Sequence, residues 1–284
     1  MILSTDSTAN LPVEYYEKYN ISMIPMQIIL DGNTYNDLSP ELPVEEFYKK
    51  MSSGATPTTA QINEYAAREY FEKLLAKGED ILHISFSSAL SGTTATMQSL
   101  AAEFNATHKN KIYVVNSLNA ASGEGLLVMH AYEMMKKEMK PEAIVKELEK
   151  LIPLAKSFFT VQDLKYLVRG GRLSKVSGFI GTMLNIKPVL KVDPLGRLVP
   201  HKKVISRKLA IRALFNIIKD NIGNSPYVFI DHAVCKEDAT RLADMISNEL
   251  NVNPVVTDLT QVIGCHTGPG LLAVFFISKE PTIQ

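Results

Sequence analysis

Apolar residues recur with strand and helix periods in alternation through the first half of the chain. Short apolar runs predict strands at residues 2–5, 81–86 and 111–115 and an extended segment at residues 23–30. Helices are predicted at residues 93–104 and where apolar residues recur at helical spacing, along residues 67–74 and 124–137. Asn63 is the expected N-cap of the helix that contains residues 67–74. Strands separated by helical patterns predict βαβ units and a mainly parallel sheet.

The second half has a different pattern, in which a hairpin is expected. Extended segments at residues 189–192 and 198–203 flank the turn sequence Asp-Pro-Leu-Gly, which predicts antiparallel pairing. Further strands are predicted at residues 157–161, 227–231, 254–258 and 271–277, and helices at 207–220 and 237–250. We therefore predict two α/β domains, residues 1–155 with a mainly parallel sheet and residues 156–284 with a mixed sheet.

Small polar residues follow the predicted strands of the first half. They occur at residues 6–8, 87–94 and 116–117. Ligands of open α/β sheets bind beyond the carboxyl ends of strands, where helix N-termini favour anions. The pattern predicts a site for a carboxylate or phosphate near Ser91. Ser and Thr are also common helix caps, and for any single loop that structural interpretation is the more frequent one.

Three later segments are candidates for function. His266 lies in the glycine-rich segment 262–270, which fits either close approach to a ligand or a tight turn before a strand. The segment 169–175 is the densest basic cluster and fits phosphate or partner contact, or a solvated loop. The apolar segment 177–186 fits the wall of a chain-shaped pocket or, more commonly, core.

Composition and missing motifs narrow the function further. Lys plus Arg and Asp plus Glu are 30 each, whereas a nucleic-acid surface needs a basic excess. The two cysteines do not form a C-x-x-C pair, and neither a leader nor a membrane-length apolar run is found, so we expect a soluble, cytoplasmic protein with reduced thiols. Phosphate-loop, metal-ligand and nucleophile-elbow motifs are missing, so we expect no metal, no cofactor and no catalytic residue.

The same segments resemble the DegV family of bacterial fatty-acid-binding proteins, the lipid-carrying subunits of fatty acid kinase. The similarity covers nearly the whole chain in one order. It comprises DSTANLP at residues 6–12, PTTAQ at 57–61, LSGT at 90–93, NSLNAASG at 116–123, YLVRGGR at 166–172 and IGCHTGPG at 263–270. Each motif is modest alone, and their order makes accident improbable.

The resemblance implies a long-chain fatty acid bound between two α/β domains. Its carboxylate would be held by Thr59, Ser91 and His266, with the N–H groups at Gly92 beside them. The basic segment would bind phosphate or dock the kinase through Arg169, Arg172 and Lys175. The candidate acyl tunnel lies in the apolar segment, at Phe179, Ile180, Met183 and Leu184.

The resemblance also implies a partner and a role. The protein would carry out no chemistry alone and would present the carboxylate to a separate ATP-dependent kinase, which forms an acyl phosphate for phospholipid synthesis. A monomer that docks on a dimeric kinase, with transient membrane contact, is the expected arrangement. Two departures matter, because Ala60 stands where the family usually has Ser, which removes a hydroxyl near the carboxylate, and Asn116 replaces a frequent Asp.

Other functions remain open from the residues alone. Ser91 and His266 would be the nucleophile and base of a serine esterase or thioesterase, although no orienting carboxylate can be named. A subunit that binds a small polar phosphorylated ligand would need no apolar tunnel. A DNA-binding regulator is the least favoured, because the net charge is zero.

Overall fold

A computed structural model describes residues 1–173 and 187–283. In this part of the chain the helices are α1 (Val13–Lys18), α2 (Val44–Ser52), α3 (Glu64–Leu75), α4 (Thr93–Thr107), α5 (Ser122–Lys136), α6 (Pro141–Leu151), α7 (Lys165–Arg169), α8 (Arg207–Asn221), α9 (Lys236–Leu250) and α10 (Gln261–Thr267). Short 3-10 turns occur at Ser7–Ala9 and Ile152–Leu154.

The first half forms a parallel sheet, as its pattern predicted. The sheet has the order β2 (Ser22–Ile24), β1 (Ile2–Asp6), β6 (Ile81–Ser85) and β7 (Ile112–Asn116) among the described residues. All three neighbouring pairs run parallel. Beside it lies a small antiparallel sheet in the order β4 (Asn33–Asn36), β3 (Gln27–Leu30) and β5 (Thr58–Ala60).

The second half forms a mixed sheet. Its described strands have the order β10 (Leu198–Val204), β9 (Lys187–Val192), β8 (Ala155–Thr160), β13 (Leu272–Ile277), β11 (Val228–His232) and β12 (Val255–Asp258). β9 and β10 form the expected antiparallel hairpin, and β11 and β12 run parallel. The α/β class with one parallel and one mixed sheet is thus confirmed. The predicted boundary at residue 155 remains a prediction.

The two faces of the mixed sheet pack against different partners. Phe158 and Phe276 belong to a core formed with α8 and α9. Phe159 and Phe275 point to the opposite face and join the larger core that contains the parallel sheet. This division follows from the alternation of side chains along a strand.

Helix α5 lies between the parallel sheet and the mixed sheet and contacts strands of both. Residues 122–129 of this helix are all buried, including Glu124. A helix that is buried around its whole circumference must carry apolar or hydrogen-bonded side chains on every face. The larger core is therefore continuous across both sheets, and it contains the cavity described next.

Candidate functional site

A cavity of about 270 Å³ lies between the parallel sheet and the inner face of the mixed sheet. Its apolar wall comprises Met26, Phe86, Leu90, Ala120, Ala121, Phe159, Leu167, Val192, Leu198, Leu259, Val262, Ile263, Leu271, Ala273 and Phe275. Its polar residues include Thr59, Gln61, Ser91, Gly92, Arg172 and His266. The structure thus brings together the residues assigned to a carboxylate site, and most of the remaining wall is hydrocarbon.

Thr59 and His266 come from distant parts of the chain and meet at the cavity. Thr59 lies in β5, where it pairs with Ile28 of β3, and His266 lies near the end of α10. The Thr59 hydroxyl and His266 Nε2 are 2.9 Å apart and hydrogen-bonded. Both side chains are half-buried, so the pair lies at an accessible end of the cavity.

Surroundings define the protonation state of His266. Burial lowers its pKa to about 4, and the nearby positive charges of Arg172 and Arg169 act in the same direction. The ring is therefore neutral near pH 7. Nδ1 is buried and meets no partner within the described residues. A buried N–H without an acceptor is costly, which favours the tautomer in which Nε2–H donates to Thr59. The Thr59 hydroxyl then has its own proton free for a ligand carboxylate.

Ser91 and Gly92 lie at the start of α4, beyond the end of β6. Gly92 is the N-cap position, and the Thr93 N–H donates to Ser91 Oγ at 3.2 Å. Ser91 Oγ also lies 3.0 Å from Thr93 Oγ1. The positive end of the helix dipole therefore points towards the polar end of the cavity. Ser91 bonds with Thr93 and His266 with Thr59, an arrangement that does not favour an esterase pair.

Glycines explain why two of the sequence motifs occur together. A Cβ on Gly170 would lie 2.3 Å from His266 Nδ1, so any side chain there would displace the imidazole. Gly268 has φ +73°, and a Cβ there would lie 2.2 Å from Tyr166 Cδ2. Tyr166 and Gly170 belong to one motif and His266 and Gly268 to the other. The two segments pack so closely that each fixes the position of the other.

Arg169 and Arg172 lie near the same end of the cavity but have different surroundings. Arg172 lines the cavity and donates to Leu90 O at 3.2 Å and Gly170 O at 2.6 Å. Arg169 is exposed and lies 5.4 Å from the centre of the Tyr166 ring. Arg172 thus points into the cavity region while Arg169 faces solvent, and the phosphate or docking role predicted for both stays a prediction. Lys175 lies outside the described residues.

The candidate acyl tunnel at Phe179, Ile180, Met183 and Leu184 also lies outside the described residues. Part of the described wall comes from strands that were predicted without a functional role. Phe159 of β8 and Ala273 and Phe275 of β13 face the cavity together. The alternation of side chains along these strands was the available signal, but it does not say which face borders a cavity.

The first polar loop has a structural role. Asp6 accepts hydrogen bonds from the N–H and hydroxyl of Thr8 and from the Phe86 N–H. Glu124 accepts from the Thr5 hydroxyl at 2.9 Å, and its other oxygen lies 3.0 Å from the Thr8 hydroxyl, whose one proton is shared with Asp6. Burial raises the pKa of both carboxyls. This network joins the ends of β1 and β6 to α5, so the loop holds these elements of the fold together.

The described part of the chain contains no group of three His, Cys, Asp or Glu side chains arranged to hold a metal ion. Within residues 1–173 and 187–283, no helix combines the length and apolar character required to cross a membrane.

The sequence model described as "Uncharacterised protein, DegV family" matches residues 2–279. A DegV domain-containing protein of Clostridium perfringens is 36% identical over 287 residues, which cover 99% of each chain. A DegV domain-containing protein of Streptococcus pyogenes is 33% identical and covers 98% of each chain.

Solved structures share the fold. DegV of Bacillus subtilis, described as a fatty acid binding protein, has a TM-score of 0.86 at 30% identity and covers 98% of this chain and 99% of its own. A DegV family protein from Thermus thermophilus, described for its fatty acid binding, has a TM-score of 0.88 at 28% identity with the same coverage. Fatty acid binding is therefore a property of relatives that share the whole architecture.

Proposed function

Because the chain belongs to the DegV family, we propose that it binds a long-chain fatty acid with its acyl chain in the cavity. One observation carries this proposal: Thr59, Ser91 and His266 converge on an otherwise largely apolar cavity. The two solved relatives described as fatty-acid-binding support it, because each matches nearly the whole chain.

The apolar wall favours an acyl chain over a small polar ligand. Each buried methylene contributes about 0.8 kcal/mol, so a chain of about 15 methylenes gains on the order of 10 kcal/mol. Association and ordering of the chain offset part of that gain. The favourable free energy that remains predicts that the lipid is released slowly and co-purifies with the protein.

The carboxylate must regain the hydrogen bonds it loses with water. In the proposed complex the hydroxyls of Thr59 and Ser91 donate to it, and His266 orients the Thr59 hydroxyl. The N-terminus of α4 and the Arg172 guanidinium stabilise its negative charge. Ala60, next to Thr59, contributes no hydroxyl to this set.

The same proposal gives the protein a partner. A carboxylate becomes an acyl donor when it is phosphorylated, and the sequence has no phosphate-loop motif. A separate ATP-dependent fatty acid kinase would bring the nucleotide, and this protein would hold the acyl oxygen in place for it. The exposed Arg169 beside the cavity would contact the kinase or its phosphates. Because the kinase uses ATP, this protein and the kinase would work together in the cytoplasm.

Mass spectrometry tests the ligand directly. The protein is purified from a bacterial host, its native mass is compared with its denatured mass, and an organic extract is identified. We expect a near-stoichiometric adduct that resolves into long-chain fatty acids. A clean apo mass that does not change when palmitate or oleate is added would overturn the proposal.

Two variants, Arg169→Ala and Lys219→Ala, test the proposed contact with the kinase in assays of acyl-phosphate formation. Arg169→Ala should lower the rate of acyl-phosphate formation while the lipid stays bound, because it removes an exposed charge beside the cavity. Lys219→Ala is the matched control. It removes an exposed charge from the last turn of α8, the helix that packs on the face of the mixed sheet opposite the cavity. Equal rates for Arg169→Ala and the unmodified protein would refute a docking role for Arg169.

A further inference from the structure

A second cavity of about 240 Å³ borders the first. Leu118, Asn119, Ala155 and Lys156 are among its lining residues. Val192 lines both cavities. The two spaces are therefore neighbours that share a wall.

Strand register gives the direction in which the first cavity runs. Leu271 lies shortly after His266, and β13 then leads away from it through Ala273 to Phe275. On the neighbouring β8, Phe159 lies opposite Ala273 and Ser157 lies opposite Phe275. A chain whose carboxylate is at His266 therefore has its methyl end directed towards Ser157.

A hydrogen bond forms the shared wall at this end. Ser157 Oγ, which borders the first cavity, donates to Asn119 Oδ1, which belongs to a residue that borders the second. Asn119 Nδ2 donates in turn to Ala155 O at 3.2 Å. Each side chain is only 2% exposed. A Cβ on Gly123 would lie within 2.4 Å of both polar atoms, so the start of α5 holds the pair in place.

We propose that Ser157, together with Asn119 and Val192, sets the longest acyl chain that the protein accepts. This inference rests on the proposed function and adds a specificity determinant to it. Up to the wall, each further buried methylene tightens binding about fourfold. A chain that reaches Ser157 gains nothing further, because the next methylene must break a buried hydrogen bond whose partners would be left unsatisfied. Beyond the wall, the second cavity has room for a longer chain.

A series of saturated acids from lauric to behenic acid tests this determinant. Dissociation constants are measured for the unmodified protein, and affinity should rise steeply with length and then level off at one chain length. Ser157→Ala replaces the hydroxyl with an apolar end and removes its hydrogen bond to Asn119. Val192→Ala thins the wall without touching the hydrogen bond. Both variants should move the levelling-off point to a longer chain.

Thr160→Val is the matched control. It removes a hydroxyl from the same strand, but Thr160 alternates with Phe159 and therefore faces away from the cavity. Its hydroxyl has no hydrogen-bond partner among residues 1–173 and 187–283, so the near-isosteric valine should leave the series unchanged.

The outcomes separate the determinant from the proposed function. A longer limit in Ser157→Ala or Val192→Ala, with Thr160→Val unchanged, supports the wall; if Ser157→Ala does not fold, Val192→Ala decides alone. An unshifted limit in the folded variants, an equal loss of affinity at every length, or no levelling-off in the unmodified protein overturns it. Failure of the unmodified protein to bind any acid of the series would instead reject fatty acid binding itself.

Discussion

At the scale of single residues, Thr59 and His266 show how surroundings define chemistry. A histidine with an ordinary pKa would be partly charged near neutral pH, but burial keeps this ring neutral. The imidazole therefore acts as a hydrogen-bond partner, and the positive charge near it comes from Arg172 and Arg169. In the proposed complex the Thr59 hydroxyl connects the histidine to the ligand.

Thr59→Val removes that hydroxyl with little change in shape. Hydrogen bonds to charged groups contribute about 1.5–3 kcal/mol, so we expect palmitate to bind about ten- to a hundredfold more weakly. Displacement of a fluorescent fatty acid measures the change. Thr59→Ser keeps the hydroxyl and should retain most of the affinity.

A neutral ligand sharpens this prediction. The methyl ester of palmitic acid lacks the charged carboxylate, so Thr59→Val should weaken its binding much less than that of palmitate. An equal loss for acid and ester would mean that Thr59 shapes the cavity and does not recognise the headgroup.

At the scale of elements, the sequence predicted most strands and helices but not how segments are shared among sheets. The segment 23–30 was predicted as one extended stretch. In the structure Pro25 separates β2 from β3, which belong to different sheets. Local apolar pattern has no information about which neighbour a strand will pair with.

Helix α10 was the least predictable element of the site. Its glycines fit a turn equally well, whereas the structure forms a helix over Gln261–Thr267. A Cβ on Gly264 would lie 2.4 Å from Tyr48 Oη, so this glycine allows α2 and α10 to approach closely. That reason depends on tertiary contact, and the sequence alone does not contain it.

Helix α3 was predicted with its cap. Asn63 Oδ1 accepts from the Ala66 N–H at 2.9 Å, which satisfies one of the free donors at the helix start. We expect Asn63→Ala to lower the free energy of unfolding by about 1 kcal/mol. Urea denaturation measures this loss, and Asn63→Asp should show little of it because aspartate caps as well as asparagine. A stability of Asn63→Ala equal to that of the unmodified protein would contradict the capping role.

At the scale of the whole molecule, the cavity arises only when the two sheets pack together. Its walls combine residues as distant in sequence as Met26 and Phe275. Motif order predicted which residues would hold a carboxylate, but no local pattern indicated the face of β8 and β13 on which a cavity would form. The resemblance placed the site between the two α/β domains, but the side chains that form its apolar wall depend on packing that no local pattern indicates.

One buried carboxyl connects the mixed sheet to α5, the helix that lies between the two sheets. Asp231 of β11 accepts from the Ser122 hydroxyl at 2.6 Å and from the Ser122 N–H at 3.1 Å, at the start of α5. Burial raises the pKa of Asp231 to about 7, and these hydrogen bonds only partly oppose the effect. The folded protein therefore holds a proton on Asp231 at pH values where the unfolded chain has lost it.

The sign of the pH dependence follows. Below about pH 4 Asp231 is protonated in both states, and its ionisation does not affect stability. Between about pH 4 and pH 7 the unfolded chain ionises first, so the contribution of Asp231 to stability falls as pH rises, by at most about 1.4 kcal/mol per pH unit. Above pH 7 this contribution stays constant.

Asp231→Asn removes the titration while keeping an oxygen that accepts from Ser122. The stability of the variant relative to the unmodified protein should therefore increase from pH 4 to pH 7, as measured by urea denaturation at each pH. Asp37, whose pKa burial raises to about 6, and the other buried acids and histidines titrate in both proteins, so they cancel in the difference. Asp244→Asn makes the same change at an exposed position of α9 and serves as the control for the substitution itself. A difference between Asp231→Asn and the unmodified protein that does not change with pH would mean that Asp231 is already ionised in the folded state at pH 4, and that the packing between the sheets does not depend on its proton.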